Sequence, residues 1–260
     1  MLAHKLAGPA AQVVVVQLDA GQTAWCEAGR LVWKTANVGL RVQLAGPTGA
    51  AGAGVLGPLS RAVATAVQVG RRRLAGERPA YHHLTATGGS GLAAFAAPSP
   101  CELRELRLAG GRGWLLARGA LVVAEATVGP DLGTTLRGLV GRDGDQLELE
   151  GLAGTGSLFV AAAGSFVELV PARYGGQVQV DAARLVAVQE GVDITVERLG
   201  AVPGPEPLAR MLGGEPASVA TLAGDGLVLL QSAAPAQVDA DRPGAAADQA
   251  LARWLGGTRR

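Results

Sequence analysis

Residues 154–160 read Gly154, Thr155, Gly156, Ser157, Leu158, Phe159, Val160, a spaced glycine pair running into an apolar strand. The arrangement occurs twice more, as Gly89, Ser90, Gly91, Leu92 and as Gly224, Asp225, Gly226, Leu227, Val228, Leu229, Leu230. Glycine supplies the backbone freedom of a tight turn, and the apolar run that follows has the length of a buried strand. A second pattern also recurs, a small residue, one variable residue and then Leu-Val. It reads Gly29, Arg30, Leu31, Val32, Trp33; then Gly119, Ala120, Leu121, Val122, Val123; then Ala183, Arg184, Leu185, Val186, Ala187. The third copy follows Gln177, Val178, Gln179, Val180, Asp181, whose strict alternation is that of a half-buried strand. Order and spacing recur together, which predicts an all-β chain of three copies of one hairpin unit, with Gly29, Gly91, Gly119, Gly156 and Gly226 as its structural glycines.

Working outward, the two middle units are complete in the order glycine pair then Leu-Val hairpin. The first Leu-Val hairpin lacks a preceding glycine pair, and the last glycine-pair strand lacks a following hairpin. Joining the ends would cover apolar faces and strand edges that are costly to expose. The expectation is therefore a pseudo-threefold arrangement in which Leu227–Gln231 packs with the strands of residues 12–33, closing one β domain over residues 1–240.

The connections differ. Residues 45–57 are Gly, Ala and Pro without periodicity and read as loop. Leu59, Ala62, Val63, Ala66 and Val67 then share a helical face, although Val63, Thr65, Val67 and Val69 also alternate as a strand would. Residues 129–144 and 200–214 read as Gly- and Pro-rich loops. At the end, Ala247, Leu251, Trp254 and Leu255 line one face before Gly256 and Gly257, predicting a C-terminal helix and tail over 241–260.

Composition supports this reading and bounds function. The 260 residues are 48% apolar but only 3% aromatic, with 39 glycines, so the core is built of Val, Leu and Ala between tight turns. Lys5 and Lys34 are the only lysines among 23 basic residues, the coding bias of a GC-rich bacterial genome. A net charge of +1 provides no strong field for a phosphate backbone. Cys26 and Cys101 lack CxxC spacing and are expected as buried, reduced thiols. No apolar run reaches the roughly 18 residues that span a bilayer, and no export signal is visible near Met1, so the expected location is cytoplasmic.

Chemistry is sparse. A metal needs about three convergent ligands, whereas the histidines are His4, His82 and His83, and adjacent residues on a strand face opposite ways. Ser90 lies in Gly88, Gly89, Ser90, Gly91, Leu92, which is not a nucleophile elbow. Glu148 with Glu150, and Asp143 with Asp145, read as solvated carboxylates. No metal, cofactor or catalytic residue is expected. Arg71, Arg72 and Arg73 form the one basic cluster, a contact patch for phosphate if the apolar stripe before it lies at a membrane interface, or a partner for a helix C-terminus.

Several of these motifs together resemble the family named for altered inheritance of mitochondria. They are Gln177 to Val188 with Val180, Asp181, Leu185, Val186 and Ala187; Gly154, Gly156, Gly164, Phe166 and Leu169; and Leu18, Gly21, Glu27 and Gly29. The resemblance covers roughly residues 12–232. It implies a fold like that of the tryptophan RNA-binding attenuation protein, a shortened double-stranded β-helix forming a β-sandwich unit used three times, and it implies no established chemical activity. Where the family commonly continues Gly-Glu with a small hydroxyl residue and aromatics, this chain has Gly76, Glu77, Arg78, Pro79, Ala80, Tyr81; where Pro-Gly is usual it has Pro100, Cys101. The expected role is a non-enzymatic structural or binding protein with a protein partner or self-association. RNA binding by fold analogy and peripheral membrane contact through residues 58–73 are the alternatives.

Limited proteolysis should cut first between Ala45 and Gly57, where little side chain is available to bury. Mass spectrometry of the first fragments checks this, and a first cut within Gln177 to Val188 would contradict the strand assignment.

Overall fold

The computed structural model describes residues 2–9, 11–43, 80–98, 100–131, 139–140, 147–198 and 218–233. The expected helices at 58–70 and 241–260, the loop at 45–57 and the cluster Arg71, Arg72, Arg73 lie outside the described residues.

The described chain is antiparallel β-structure with two 3₁₀ turns, Pro171–Tyr174 and Ala182–Arg184. A first strand, β1 (Ala3–Ala7), precedes a set of six: β2 (Val13–Leu18), β3 (Thr23–Glu27), β4 (Leu31–Lys34), β5 (Val38–Gln43), β6 (Tyr81–Ala86) and β7 (Gly91–Ala96). A second stretch follows with β8 (Cys101–Ala109), β9 (Trp114–Ala117), β10 (Leu121–Glu125), β11 (Val128–Pro130), the short β12 (Leu139–Val140) and the long β13 (Leu147–Ala163). The third comprises β14 (Phe166–Leu169), β15 (Gln177–Asp181), β16 (Leu185–Gln189), β17 (Asp193–Arg198), β18 (Ser218–Ala223) and β19 (Val228–Gln231).

The strands follow side-chain alternation. In β2, Val14, Val16 and Leu18 are buried while Val13 and Val15 are half-buried and Gln17 is exposed. Their inward faces meet Phe95 of β7 and, from the facing sheet, Ala24, Cys26 and Leu84. Fully burying each such Leu, Val or Phe contributes about 1.5–3 kcal/mol, so each layer depends on the other for most of its stability. Two further clusters are built in the same way, around Leu121, Leu152 and Leu158 and around Leu185, Leu222 and Val228.

One set of pairings appears in each stretch. The Leu-Val strand pairs with the glycine-led strand that follows it: β4 with β7, β10 with β13, β16 with β19. Each of these ladders carries a register shift, between Leu31 and Trp33, Leu121 and Val123, and Leu185 and Ala187. The glycine-led strand also pairs with the first strand of its stretch, as β2 with β7, β8 with β13 and β14 with β19. A second set of three strands also recurs, as β5–β6–β3, β11–β13–β9 and β17–β18–β15; the first two lie in one twelve-stranded sheet with β14, β19, β16 and β10, and the third is a sheet of its own.

The glycine-led strand thus belongs with the Leu-Val strand before it, not after it. That corrects the expected phase: β19 is hydrogen-bonded between β14 and β16 and not to the strands within residues 12–33, while Leu229 shares a core cluster with Trp25. Two further corrections follow from β13. Gly154 and Gly156 do not feed a strand from a turn but bend one continuous strand, which pairs β9 and β11 before the bend and β8 and β10 after it. Residues 129–144, read as loop, contain β11 and β12, both paired to β13.

The second glycine of each pair sits where the turn after the Leu-Val strand approaches. A Cβ on Gly91 would overlap Val38 Cγ2 and press on Thr35 and Asn37 at 3.1 Å; one on Gly226 would lie 2.7 Å from Val192 Cγ2. On Gly156 it would overlap the Glu125 carboxylate. Gly91→Ala should therefore destabilise the fold by about 1–3 kcal/mol through overpacking. Gly111→Ala, at a site with nothing within 4 Å, should change it little. Urea unfolding of both variants checks the difference.

Candidate functional site

The expected structural glycines occupy two kinds of position. Gly29 (φ 90°) and Gly119 (φ 73°) take the left-handed conformation in the turns before β4 and β10. The third copy has Ala183 instead, and there a 3₁₀ turn capped by the Asp181 carboxylate on the Ala183 N–H makes the reversal. Gly91, Gly156 and Gly226 are the close-approach positions above. Arg71, Arg72 and Arg73 lie outside the described residues.

Titratable groups cluster between the first and second stretches. Arg30 is 4% exposed; its Nη2 donates to the Glu27 carboxylate at 2.8 Å and to the Gly119 carbonyl at 2.7 Å. The indole of Trp25 donates to the carbonyls of Glu125 (3.1 Å) and Val128 (2.8 Å) across the same boundary. Between the second and third stretches, Arg112 pairs with Asp225 at 3.0 Å, and the Glu190 carboxylate accepts from the Gly113 N–H at 3.0 Å. Arg104 pairs with Glu168 and lies over the Phe166 ring. These contacts fasten neighbouring stretches together.

Two arrangements invite a catalytic reading, and the chemistry of each argues otherwise. Cys26 stands directly opposite His82 on the adjacent strand, a thiol and an imidazole in neighbouring positions. Burial pushes the Cys26 thiol up to about 12, against which the nearby Arg30 charge works only partly. A nucleophilic cysteine needs the opposite shift. Cys101, also buried and free, is likewise raised by burial. His82 and His83 point to opposite faces of β6, as adjacent strand residues do; His83 is buried and faces Trp25 across the ladder.

The second arrangement joins Ser157, Glu105 and His4. Ser157 Oγ donates to Glu105 at 2.8 Å, and His4 Nδ1 lies 4.0 Å from the same carboxylate. A serine nucleophile needs the imidazole, not the carboxylate, as its direct base, and Ser157 is fully buried. Burial pushes the Glu105 carboxyl up, but hydrogen bonds from Arg107 and Ser157 and the His4 charge outweigh it and hold the group below its ordinary value. Glu150, one of the sequence-noted carboxylates, accepts from the Tyr81 hydroxyl at 3.2 Å. Among the described residues, no three His, Cys, Asp or Glu side chains converge as a metal site, and no helix is long and apolar enough to cross a membrane.

What sequence reading missed is an apolar surface on β4 and β5. Val32 is 55% exposed, Trp33 44%, Leu40 40% and Val42 60%. The counterpart of β4 in the second stretch, β10, is buried at every position, and in β16 only Gln189 is not. Periodicity identified β4 as a strand, but exposure depends on which edges find partners, and that is a property of the assembled sheets. One signal was available: Val38, Leu40 and Val42 alternate as a core strand would, yet only Val38 is buried.

The raised Cys26 thiol has a consequence at high pH. The unfolded chain releases its proton near the ordinary value of 9.0 while the folded chain holds it to about 12. Stability is fully present below pH 9 and declines as pH rises from there toward 12, by at most about 1.4 kcal/mol per pH unit for one proton. Cys26→Val should flatten this alkaline limb, read as unfolding free energy in urea across the alkaline range; an unchanged slope would assign the decline to other groups.

The chain is similar in fold to a Streptococcus pyogenes protein known from an X-ray crystal structure, at 20% identity and a TM-score of 0.63, over 91% of this chain and 96% of that one. No curated protein matches it. Residues 4–233 match the family described as mitochondrial biogenesis AIM24. The match takes in every described strand except the first residue of β1, and with it the motifs from Leu18 to Leu169 and from Gln177 to Val188. The chain therefore belongs to the mitochondrial biogenesis AIM24 family.

Proposed function

We propose that the protein is a non-catalytic scaffold made of three copies of one six-strand unit, which binds protein through exposed apolar strands of its first unit. The observation that carries this reading is the exposure of Val32 and Trp33 on β4 and of Leu40 and Val42 on β5, each an edge strand. Large apolar side chains held on a rigid strand lose little conformational entropy on binding, and such patches mark interaction surfaces. Support for the repeated unit comes from the recurring pairings and the three register shifts. The fold likeness to the tryptophan RNA-binding attenuation protein, implied by the family resemblance, carries no RNA-binding role by itself.

Chemical cross-linking in cells of the native host, followed by identification of the captured proteins, tests this reading. The wild-type chain should capture a defined partner that a Val42→Lys chain of unchanged thermal stability loses. Equal capture by both, or a salt-sensitive shift of RNA by the purified chain in a gel, would overturn it.

A further inference from the structure

The boundaries between units repeat one another. At the first, β3 pairs with β10, setting Trp25 opposite Ala124 and Ala24 opposite Glu125. At the second, β9 pairs with β16, setting Leu116 opposite Ala187, Leu115 opposite Val188 and Trp114 opposite Gln189. In both, the second strand of one unit meets the Leu-Val strand of the next. Two strands of these same kinds have no such partner among the described residues: β4, which ends the sheet β1–β2–β7–β4, and β15, which ends the sheet β15–β18–β17.

Burial follows the pairing. Ala24, Trp25 and Cys26 of β3 and Trp114, Leu115 and Leu116 of β9 are buried, whereas no residue of β15 is. Every residue of β10 is buried, whereas none of β4 is. An edge strand leaves a row of N–H and C=O groups open to another chain; β4 and β15 carry no proline, and their charges, Lys34 and Asp181, stand at the last residue of each strand. Of the other edges, β5, β11 and β17 are equivalent to one another, and β8 and β14 lack only the neighbour that β1, which precedes the repeated strands, gives to β2.

The register of the missing boundary can be written from the two that exist. Leu31, Leu121 and Leu185 hold equivalent places before the register shift, which makes Lys34 the counterpart of Ala124 and Val188. Gly29, Gly119 and Ala183 hold equivalent places in the preceding turn, which makes Gln179 the counterpart of Trp25 and Leu115. Ala124 faces Trp25 and Val188 faces Leu115. By the same rule Lys34 faces Gln179, and Trp33 faces Val180.

We propose that β4 of one molecule pairs antiparallel with β15 of a second copy of this chain, with Trp33 opposite Val180. The contact is head-to-tail, since the two edges differ and each molecule offers one of each. Trp33 and Val32, half exposed in the single chain, would then be covered as their counterparts in β10 and β16 are. This inference rests on the scaffold reading and narrows it to a partner: the surface that binds protein would first bind its own kind.

Full-length Trp33→Cys and Val180→Cys chains, each purified separately and shown to keep the wild-type melting temperature, test it. Mixed under mild oxidation they should form a disulfide-linked dimer that neither forms alone, because cysteines directly opposite on paired strands are within bridging reach. The wild-type chain should also gain mass with concentration in sedimentation, and Val32→Lys should abolish that gain. A chain that stays monomeric at every concentration overturns the proposal, as does a Trp33→Cys chain that links to itself as readily as to Val180→Cys. Slow amide exchange of β4 and β15 in a monomer would also overturn it, assigning the edges to a segment of the same chain. If self-association fails but Val42→Lys still loses a captured partner, the scaffold reading survives; if neither is seen, both fall.

Discussion

The fold depends on one local constraint, a shifted ladder between a Leu-Val strand and the glycine-led strand that follows it. At each shift the Leu-Val strand carries an extra residue, which bends it and increases its twist. The bent strand can then pair with two neighbours in succession. β10 pairs with β13 through Leu121, Val123 and Ala124, then with β3 through Ala124 and Glu125. β16 divides its pairing between β19 and β9 in the same way. A side chain on the second glycine would push the turn after the Leu-Val strand away and loosen both ladders.

Buried polar groups reinforce this geometry. Trp25 offers a single indole donor between two carbonyls of the next unit, and Arg30 spans from its own Glu27 to the turn carbonyl at Gly119. A buried guanidinium is costly unless its hydrogen bonds are well made, and its Nε and Nη1 have no hydrogen-bond partner among the described residues. Its positive charge beside the Cys26 and Cys101 thiols only partly offsets the burial that keeps them protonated.

Much of this was legible in the sequence because strand periodicity and spaced glycines are local signals. The alternation of Gln177–Asp181 became β15, and Leu121, Leu158 and Leu185 became core. The phase of the unit was not legible. Chain order suggested that each glycine pair opens a unit, whereas hydrogen bonding puts it in the last strand. That is a long-range choice, made by contacts between Leu31 and Phe95 or Leu185 and Leu230, and no short pattern encodes it. For the same reason, β4 looked like any other Leu-Val strand: its exposure follows from the absence of a neighbouring unit, not from its residues. The bend at Gly154 and Gly156 was hidden because a glycine pair signals a turn and a bent strand equally well.

The longest connections all leave from one place, after the strand that follows the Leu-Val strand: between residues 43 and 81, between 130 and 147 where the two-residue β12 intervenes, and between 198 and 218. The strands they join are already held side by side, β5 on β6, β11 on β13 and β17 on β18. Closing a longer loop across such a pair is inexpensive, about 0.6 kcal/mol for each doubling of its length. Insertions there leave the glycine contacts and the shared strands untouched. These three sites can therefore vary independently and carry new recognition elements while the strand framework stays constant.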